Sequence, residues 1–448
     1  MEARTSAGLP SMYATCWVKA PASTRTTTPR LLVLGAQSRC AAVARLCECA
    51  HREAAVLFDG AELANPALLT MRLLITLLAK HLSRLIIMTS GDVAHSGAWG
   101  VARVSRIEDS STHAVIARAA HGVVALETLH QLVSGMDLVE AEVAQCLSAA
   151  PCMARLRQIK AHCMASAVAG AYMITGGLGG LGLCAAALLV RHRAAPVTLT
   201  SRTGVVGRDG QGLADKLRSL GSDIRVVISD GSDAREMSAL FERCHQLDGI
   251  LHAAGVLRDR LLRSTSSNDM CFVGAPKAVA ASFAAQGAMQ IPLAVLGVFS
   301  SVACTFGNVG QGNYAAANAY LDGLSFKRRS QGSNGSSLQI PAVRGAGMGA
   351  STIDAAKLDT IGVSLDEFAS CLLIALTTTK AIFEGTQAPL TQGMMTELHH
   401  LRVLEEVGGR VHLAAKQRGA TPKVTATQSP LAQVLAPLPA SQRRLHAE

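Results

Sequence analysis

Residues Thr175, Gly176, Gly177, Leu178, Gly179, Gly180, Leu181 and Gly182 run consecutively, and within them Gly177, Gly179 and Gly182 have G-x-G-x-x-G spacing. An apolar run at 172–175 predicts a strand before them, and the stretch 181–193 predicts a helix after them. Glycines let the chain turn tightly and approach a pyrophosphate, while the helix start offers unpaired N–H groups and the positive end of its dipole. The chemistry predicted is dinucleotide binding. A ligand-free glycine turn is the plain alternative, and the strand–turn–helix setting argues against it. At the end of a predicted strand at 197–200 stand Ser201 and Arg202, the latter twenty positions after Gly182. An NADH site would place a carboxylate there for the ribose 2′-hydroxyl, whereas a guanidinium suits a 2′-phosphate, so NADPH is favoured over NADH.

A second constellation lies further on. Ser301 follows an apolar strand predicted at 293–299, and Tyr314 and Asn318 are spaced i, i+4 on one face of a predicted helix. Any one of these residues is ordinarily a packing residue; the three together suggest a site.

The elements that must position these groups alternate along the chain. Apolar runs at 31–34, 55–58, 85–88 and 114–117 predict strands, separated by helical patterns at 39–51, 66–82, 99–107 and 123–133. The alternation restarts at 172, with strands at 172–175, 197–200, 225–229 and 249–252 and helices at 181–193, 213–220 and 237–246. This is an α/β chain of two tandem Rossmann-like units, with parallel sheets flanked by helices. A Ser364 to Glu367 capping box predicts a helix through about 376. The expected division is residues 1–165 as a first unit without the glycine fingerprint, 166–385 as the dinucleotide-binding unit, and 386–448 as a linker or disordered tail.

Composition excludes several classes. With 448 residues, 49% hydrophobic and 17% charged, the chain can bury a large core. The net charge of +10 is dispersed and aromatics make up only 3%, which argues against nucleic-acid binding. Twelve cysteines include no C-x-x-C pair, so no metal site or disulfide framework is proposed. The uncharged stretch 163–190 is long enough for a membrane span, but its glycines favour a buried strand, turn and helix. The amino terminus lacks a long apolar segment; an intracellular protein is expected, cytoplasmic in preference to plastid, and not secreted.

The stretch 171–323 resembles the ketoreductase domain of modular polyketide synthases, a branch of the short-chain dehydrogenase/reductase superfamily. The resemblance rests on T-G-G-L-G-G-L-G at 175–182, S-R-T-G at 201–204, H-A-A-G-V-L at 252–257, F-S-S at 299–301 and G-Q-G-N-Y-A-A-A-N-A-Y-L-D at 310–322. It implies that Lys277, from an earlier helix, joins Ser301, Tyr314 and Asn318 as the catalytic set. Reduction of a ketone by hydride puts negative charge on the carbonyl oxygen, so a proton donor and a second hydrogen bond must converge there. Tyr314 would donate the proton, Ser301 polarise the carbonyl, Lys277 stabilise developing tyrosinate, and Asn318 orient Lys277 or a relay water.

The resemblance further implies that Asp230 meets the adenine and that Ala253, Ala254 and Gly255 border the nicotinamide ribose, leaving His252 as a packing residue. Asp259, Phe306, Gln311 and Met348 would be substrate and stereocontrol residues. Asp259 closes a Leu257-Arg258-Asp259 version of a Leu-Asp-Asp motif, which implies a D-configured (B-type) product. Cys304 stands where relatives often have glycine. The first half is also similar to the family's structural subdomain, on Tyr13, Trp17 and residues 97–103, and would brace the second. The implied activity is NADPH-dependent reduction of a β-ketoacyl thioester, of polyketide or fatty-acyl type, carried by an acyl carrier protein among other synthase domains. The alternatives are a stand-alone carbonyl reductase and a non-catalytic scaffold that keeps the fold.

Overall fold

The computed structural model describes residues 11–19, 30–34, 54–59, 84–90, 92–109, 113–119, 142–145, 151–159, 168–377 apart from 208–210, 222 and 245, then 386–398, 401 and 404. The first half contributes β1 (Ser11–Lys19), β2 (Arg30–Leu34), β3 (Ala54–Asp59), β4 (Arg84–Ser90), α1 (Val93–Glu108), β5 (His113–Ala119), β6 (Glu142–Gln145) and β7 (Pro151–Gln158). The second begins with β8 (Gly170–Thr175), α2 (Gly180–Arg191), β9 (Ala194–Ser201), α3 (Leu213–Ser219), β10 (Ile224–Ile228), α4 (Ala234–Arg243) and β11 (Gly249–His252). It continues through α5 (Ser267–Gly274), α6 (Ala280–Gly287), β12 (Val295–Ser301), α7 (Gly312–Ser330), β13 (Ser336–Ile340), α8 (Leu365–Thr377), β14 (Thr386–Leu390) and α9 (Gln392–Leu398).

The two Rossmann-like units share a single sheet, in the order β10-β9-β8-β11-β12-β13-β14-β1-β7-β6-β5-β4-β3-β2. Pairing is parallel from β10 to β14 and from β6 to β2. The joint is antiparallel: β1 pairs with both β14 and β7, and β7 with β6. Strand β8 shows why its sequence is apolar throughout. Tyr172 and Ile174 pack on one face with Leu183, Leu189, Phe368 and Leu372, while Met173 packs on the other with Met237, Leu240, Ala281 and Ala284. A strand covered by helices on both faces has no polar side to alternate with. Within the uncharged stretch, residues 170–190 are thus a buried strand, turn and helix, and among the described residues no helix is long and apolar enough to cross a membrane.

The expected tail needs correction at its start. Residues 386–390 form β14 inside the sheet, with Ala388 and Leu390 buried, and α9 packs Met394 and Met395 with Tyr13, Leu156 and Phe306. A five-residue strand containing Pro389 carries little local signal, and it is fixed here by long-range pairing, with Met12 opposite Pro389. Strands β6 and β7 were likewise not anticipated. The expected helices at 39–51, 66–82 and 123–133 lie outside the described residues.

Helix α1 carries the contact between the halves that matters for the site. A Cβ on Gly100 would lie 2.3 Å from the Ala315 carbonyl oxygen, so α1 meets α7 backbone to backbone. Only glycine allows that approach to the helix that bears Tyr314.

Candidate active site

Four side chains converge at the carboxyl ends of β11 and β12. Ser301 is the last residue of β12, and its Oγ accepts a hydrogen bond from the Ala303 amide at 3.2 Å. Tyr314 and Asn318 lie on α7, where one turn separates them; Asn318 Nδ2 donates to the Tyr314 carbonyl at 2.8 Å. Lys277 reaches in from between α5 and α6. Its Nζ donates to Asn318 Oδ1 at 2.8 Å and to the Phe299 carbonyl at 2.9 Å, and sits 5.2 Å from the centre of the Tyr314 ring.

The local conformation around Lys277 explains how it gets there. Residues Ala275–Val279 widen into a π-turn that contains Pro276, which has no N–H to continue the α-helical ladder. His252 fixes the turn from below. Its Nε2 faces the Lys277 carbonyl at 2.9 Å and must carry the proton, so Nδ1 accepts from Thr175 Oγ1 at 2.6 Å. Burial, with the Lys277 charge nearby, holds this imidazole down at about 3, and so neutral. His252, expected to pack at a strand end, is fully buried at the end of β11, where it also links Thr175, beside the glycine turn, to the Lys277 carbonyl.

Burial also sets the protonation of the catalytic groups. It pushes Tyr314 up to about 12, so the phenol keeps its proton at neutral pH. It pushes Lys277 down to about 8, opposed by the Asp322 carboxylate, whose charge favours the ammonium. Asp322 was not singled out in the sequence, although it lies one turn beyond Asn318 on α7. Its carboxylate accepts from Ser337 Oγ at 2.6 Å, Gln339 Nε2 at 2.8 Å and Cys304 Sγ at 3.0 Å. Its spacing of four from Asn318 was the available signal.

The glycine turn opens beside this cluster. Gly176 has φ +70°, and a Cβ there would lie 2.5 Å from Ala254 Cα, so the turn packs directly on the 253–255 segment. Gly179 caps α2 with no side chain, leaving the helix's first N–H groups facing outward. Arg202 follows β9 on the surface, close enough to Asp230 to favour its ionised form; the Ser232 hydrogen bonds to Asp230 Oδ1, at 2.7 and 2.9 Å, contribute more. This cradle, which a Cβ would fill, together with a guanidinium at its rim, fits a phosphorylated dinucleotide.

A cavity of about 440 Å³ joins the turn to the cluster. Leu181, Ala253, Ala254, Gly255, Lys277, Ser301 and Tyr314 line its inner end, and Phe306, Gln311 and Met348 border the space beyond. Asp259 does not line it but accepts from Gln311 Nε2 at 3.0 Å. Thr175, Ser201, Arg202 and Asp230 belong to the cradle rather than the cavity. The sequence did not predict the outer wall, made by Lys357, Ile361, Met394, Glu397 and Leu398. Its α9 residues arrive through β14, the strand that local pattern missed.

Residues 170–345 match the protein-family model described as KR domain. Over 167 residues the chain is 39% identical to Polyketide synthase GfsA of Streptomyces halstedii, covering 36% of this chain and 2% of that protein. Over 200 residues it is 36% identical to the Spectinabilin polyketide synthase system protein NorB of Streptomyces orinoci, covering 44% and 9%. The chain therefore spans a small fraction of the relatives it matches. A solved structure described as an A1-type ketoreductase superposes with a TM-score of 0.77 at 20% identity, over 90% of this chain and 99% of the other. A second, from A-type ketoreductases of a modular polyketide synthase, gives 0.75 at 21%, over 89% and 99%. At these identities the structural likeness is one of fold.

Proposed function

Because residues 170–345 match the KR-domain family model and the similar curated proteins are polyketide synthases, we propose that the chain reduces a β-ketoacyl thioester to the β-hydroxyacyl thioester with NADPH. The observation that carries this is the buried convergence of Lys277, Asn318, Tyr314 and Ser301 beside the glycine cradle. Bound NADPH would supply the hydride. Thr175, the glycines from Gly176 to Gly182 with Leu178 and Leu181, Ser201, Arg202, Asp230 and the 253–255 segment would hold it.

The chain's own residues then handle the oxygen. Ser301 Oγ and the Tyr314 hydroxyl hydrogen-bond the ketone and polarise it. As negative charge develops on that oxygen, Tyr314, protonated throughout the neutral range, passes its proton to it. The Lys277 ammonium, fixed by Asn318 and the Phe299 carbonyl, lowers the cost of the resulting tyrosinate.

Three finer points extend the proposal. Arg202 supports NADPH over NADH. Asp259, paired with Gln311 at the cavity edge, supports a D-configured product. The chain's net charge of +10 suits an acidic acyl carrier protein as the bearer of the substrate. Incubation with a simple β-ketothioester and each nucleotide, followed by chiral analysis of the alcohol, tests the first two, and affinity for an acidic carrier protein that falls with ionic strength tests the third. NADPH consumption and a D-alcohol are expected. NADPH binding without turnover would instead favour a scaffold, and an L-alcohol would overturn the stereochemical assignment.

A further inference from the structure

Helix α1 of the first half ends on Glu108, an unfavourable place for a carboxylate. The helix dipole presents its negative end there, and partial burial adds a desolvation cost. Its two oxygens are spent on the second half. Oε1 accepts from the Gly310 amide at 2.8 Å and Oε2 from the Leu262 amide at 2.7 Å. Those amides belong to two segments, residues 258–262 and 307–311, and Gly307, Asn308 and Gln311 of the second line the cavity.

The loops are stitched together at this point. The Arg260 amide donates to the Gly310 carbonyl at 2.7 Å, Gln311 Nε2 donates to Asp259 Oδ2 at 3.0 Å, and Asn313 Nδ2 donates to the Arg258 carbonyl at 2.8 Å. Gln311 lines the cavity and immediately precedes α7, three residues before Tyr314. Arg103, one turn back on α1 and held by Glu142, donates to the Cys304 carbonyl at 2.5 Å. Helix α1 therefore grips the loop leading into the catalytic helix near its start and at its end.

We infer that Glu108 is a positioning residue for the reaction: through the Gly310 and Leu262 amides it sets the Gln311–Asp259 pair, and with it the placement of the ketone against Tyr314. The first half thus does more than brace the second; it supplies a carboxylate that shapes substrate binding. The inference rests on the reductase reading, and its test separates the two.

In Glu108→Gln the amide nitrogen replaces one acceptor, so only one of the two loop amides remains bonded. The Gly310 and Leu262 amides are expected to exchange hydrogen faster, a readout that needs no turnover. With a β-ketothioester, KM should rise about ten-fold, the size of one lost charge-assisted hydrogen bond, while kcat changes less. The minor enantiomer of the alcohol should increase, with NADPH Kd and Tm near those of the parent. Glu108→Asp, charged but one methylene shorter, should show the same pattern. Unchanged exchange, KM and enantiomer ratio would overturn the inference. So would loss of folding or of NADPH binding in both variants, which would make Glu108 a general anchor. A parent that never reduces the thioester would refute the reductase reading instead, leaving the exchange result to decide the role of Glu108 in the loops.

Discussion

Lys277 Nζ donates to Asn318 Oδ1 at 2.8 Å, joining residues 41 positions apart in a site where both are buried. The amide holds the ammonium in place, and the backbone carbonyl of Phe299 takes a second proton. Asn318→Ala removes this support and also the hydrogen bond to the Tyr314 backbone carbonyl. A fall in kcat of about 10- to 100-fold is expected, with NADPH Kd unchanged, since Asn318 lies outside the cradle. Steady-state kinetics beside a nucleotide titration check this.

Lys277 gives the reaction a basic limb. Burial lowers its value from 10.5 to about 8, so the ammonium is lost as pH rises through about 8, and kcat should fall there. Replacing Asp322 by Asn removes a charge that favours the ammonium and should move the limb to lower pH. Stability responds in the opposite sense. The folded state binds its proton less tightly than the unfolded chain, so this group's contribution improves as pH rises between about 8 and 10.5. A pH–rate profile of the parent and Asp322→Asn checks the first claim, and a denaturation series across that window the second.

The glycine turn should tolerate no side chain. Gly176→Ala places a Cβ 2.5 Å from Ala254 Cα and forces alanine into φ +70°, a conformation costing roughly 1–2 kcal/mol before the clash is counted. A lower Tm and NADPH binding weakened at least ten-fold are expected. Wild-type affinity in this variant would separate the turn from the cofactor.

Arg202 should discriminate between nucleotides. Arg202→Ala is expected to weaken NADPH about 10- to 100-fold, the range of a lost charged hydrogen bond, and to leave NADH almost unaffected. Titration with both nucleotides measures the ratio.

What the sequence made legible was local. The glycine turn, the Tyr314–Asn318 pair and Ser301 sit within single elements or at their ends, where spacing along the chain maps directly onto a helix face or strand end. Lys277 lies in a π-turn, whose offset breaks helical periodicity, so resemblance and not pattern located it. Strand β14 and the cavity wall from α9 depend on pairing between residues near 12 and 389, which no local window contains. Glu108 escaped for the same reason: its partners lie 154 and 202 positions away.

The central claim is that Tyr314 delivers the proton while hydride comes from a nicotinamide in the adjoining cradle. Single-turnover reaction of a β-ketothioester with NADPH deuterated on the nicotinamide ring tests it most directly, run with the parent and with Tyr314→Phe. The parent should place deuterium on the β-carbon of the alcohol. Tyr314→Phe should bind the nucleotide with similar Kd yet transfer deuterium at least about a hundred-fold more slowly, the low end for a general acid. Equal transfer rates in the two proteins, or an alcohol from the parent without deuterium at that carbon, would contradict the account.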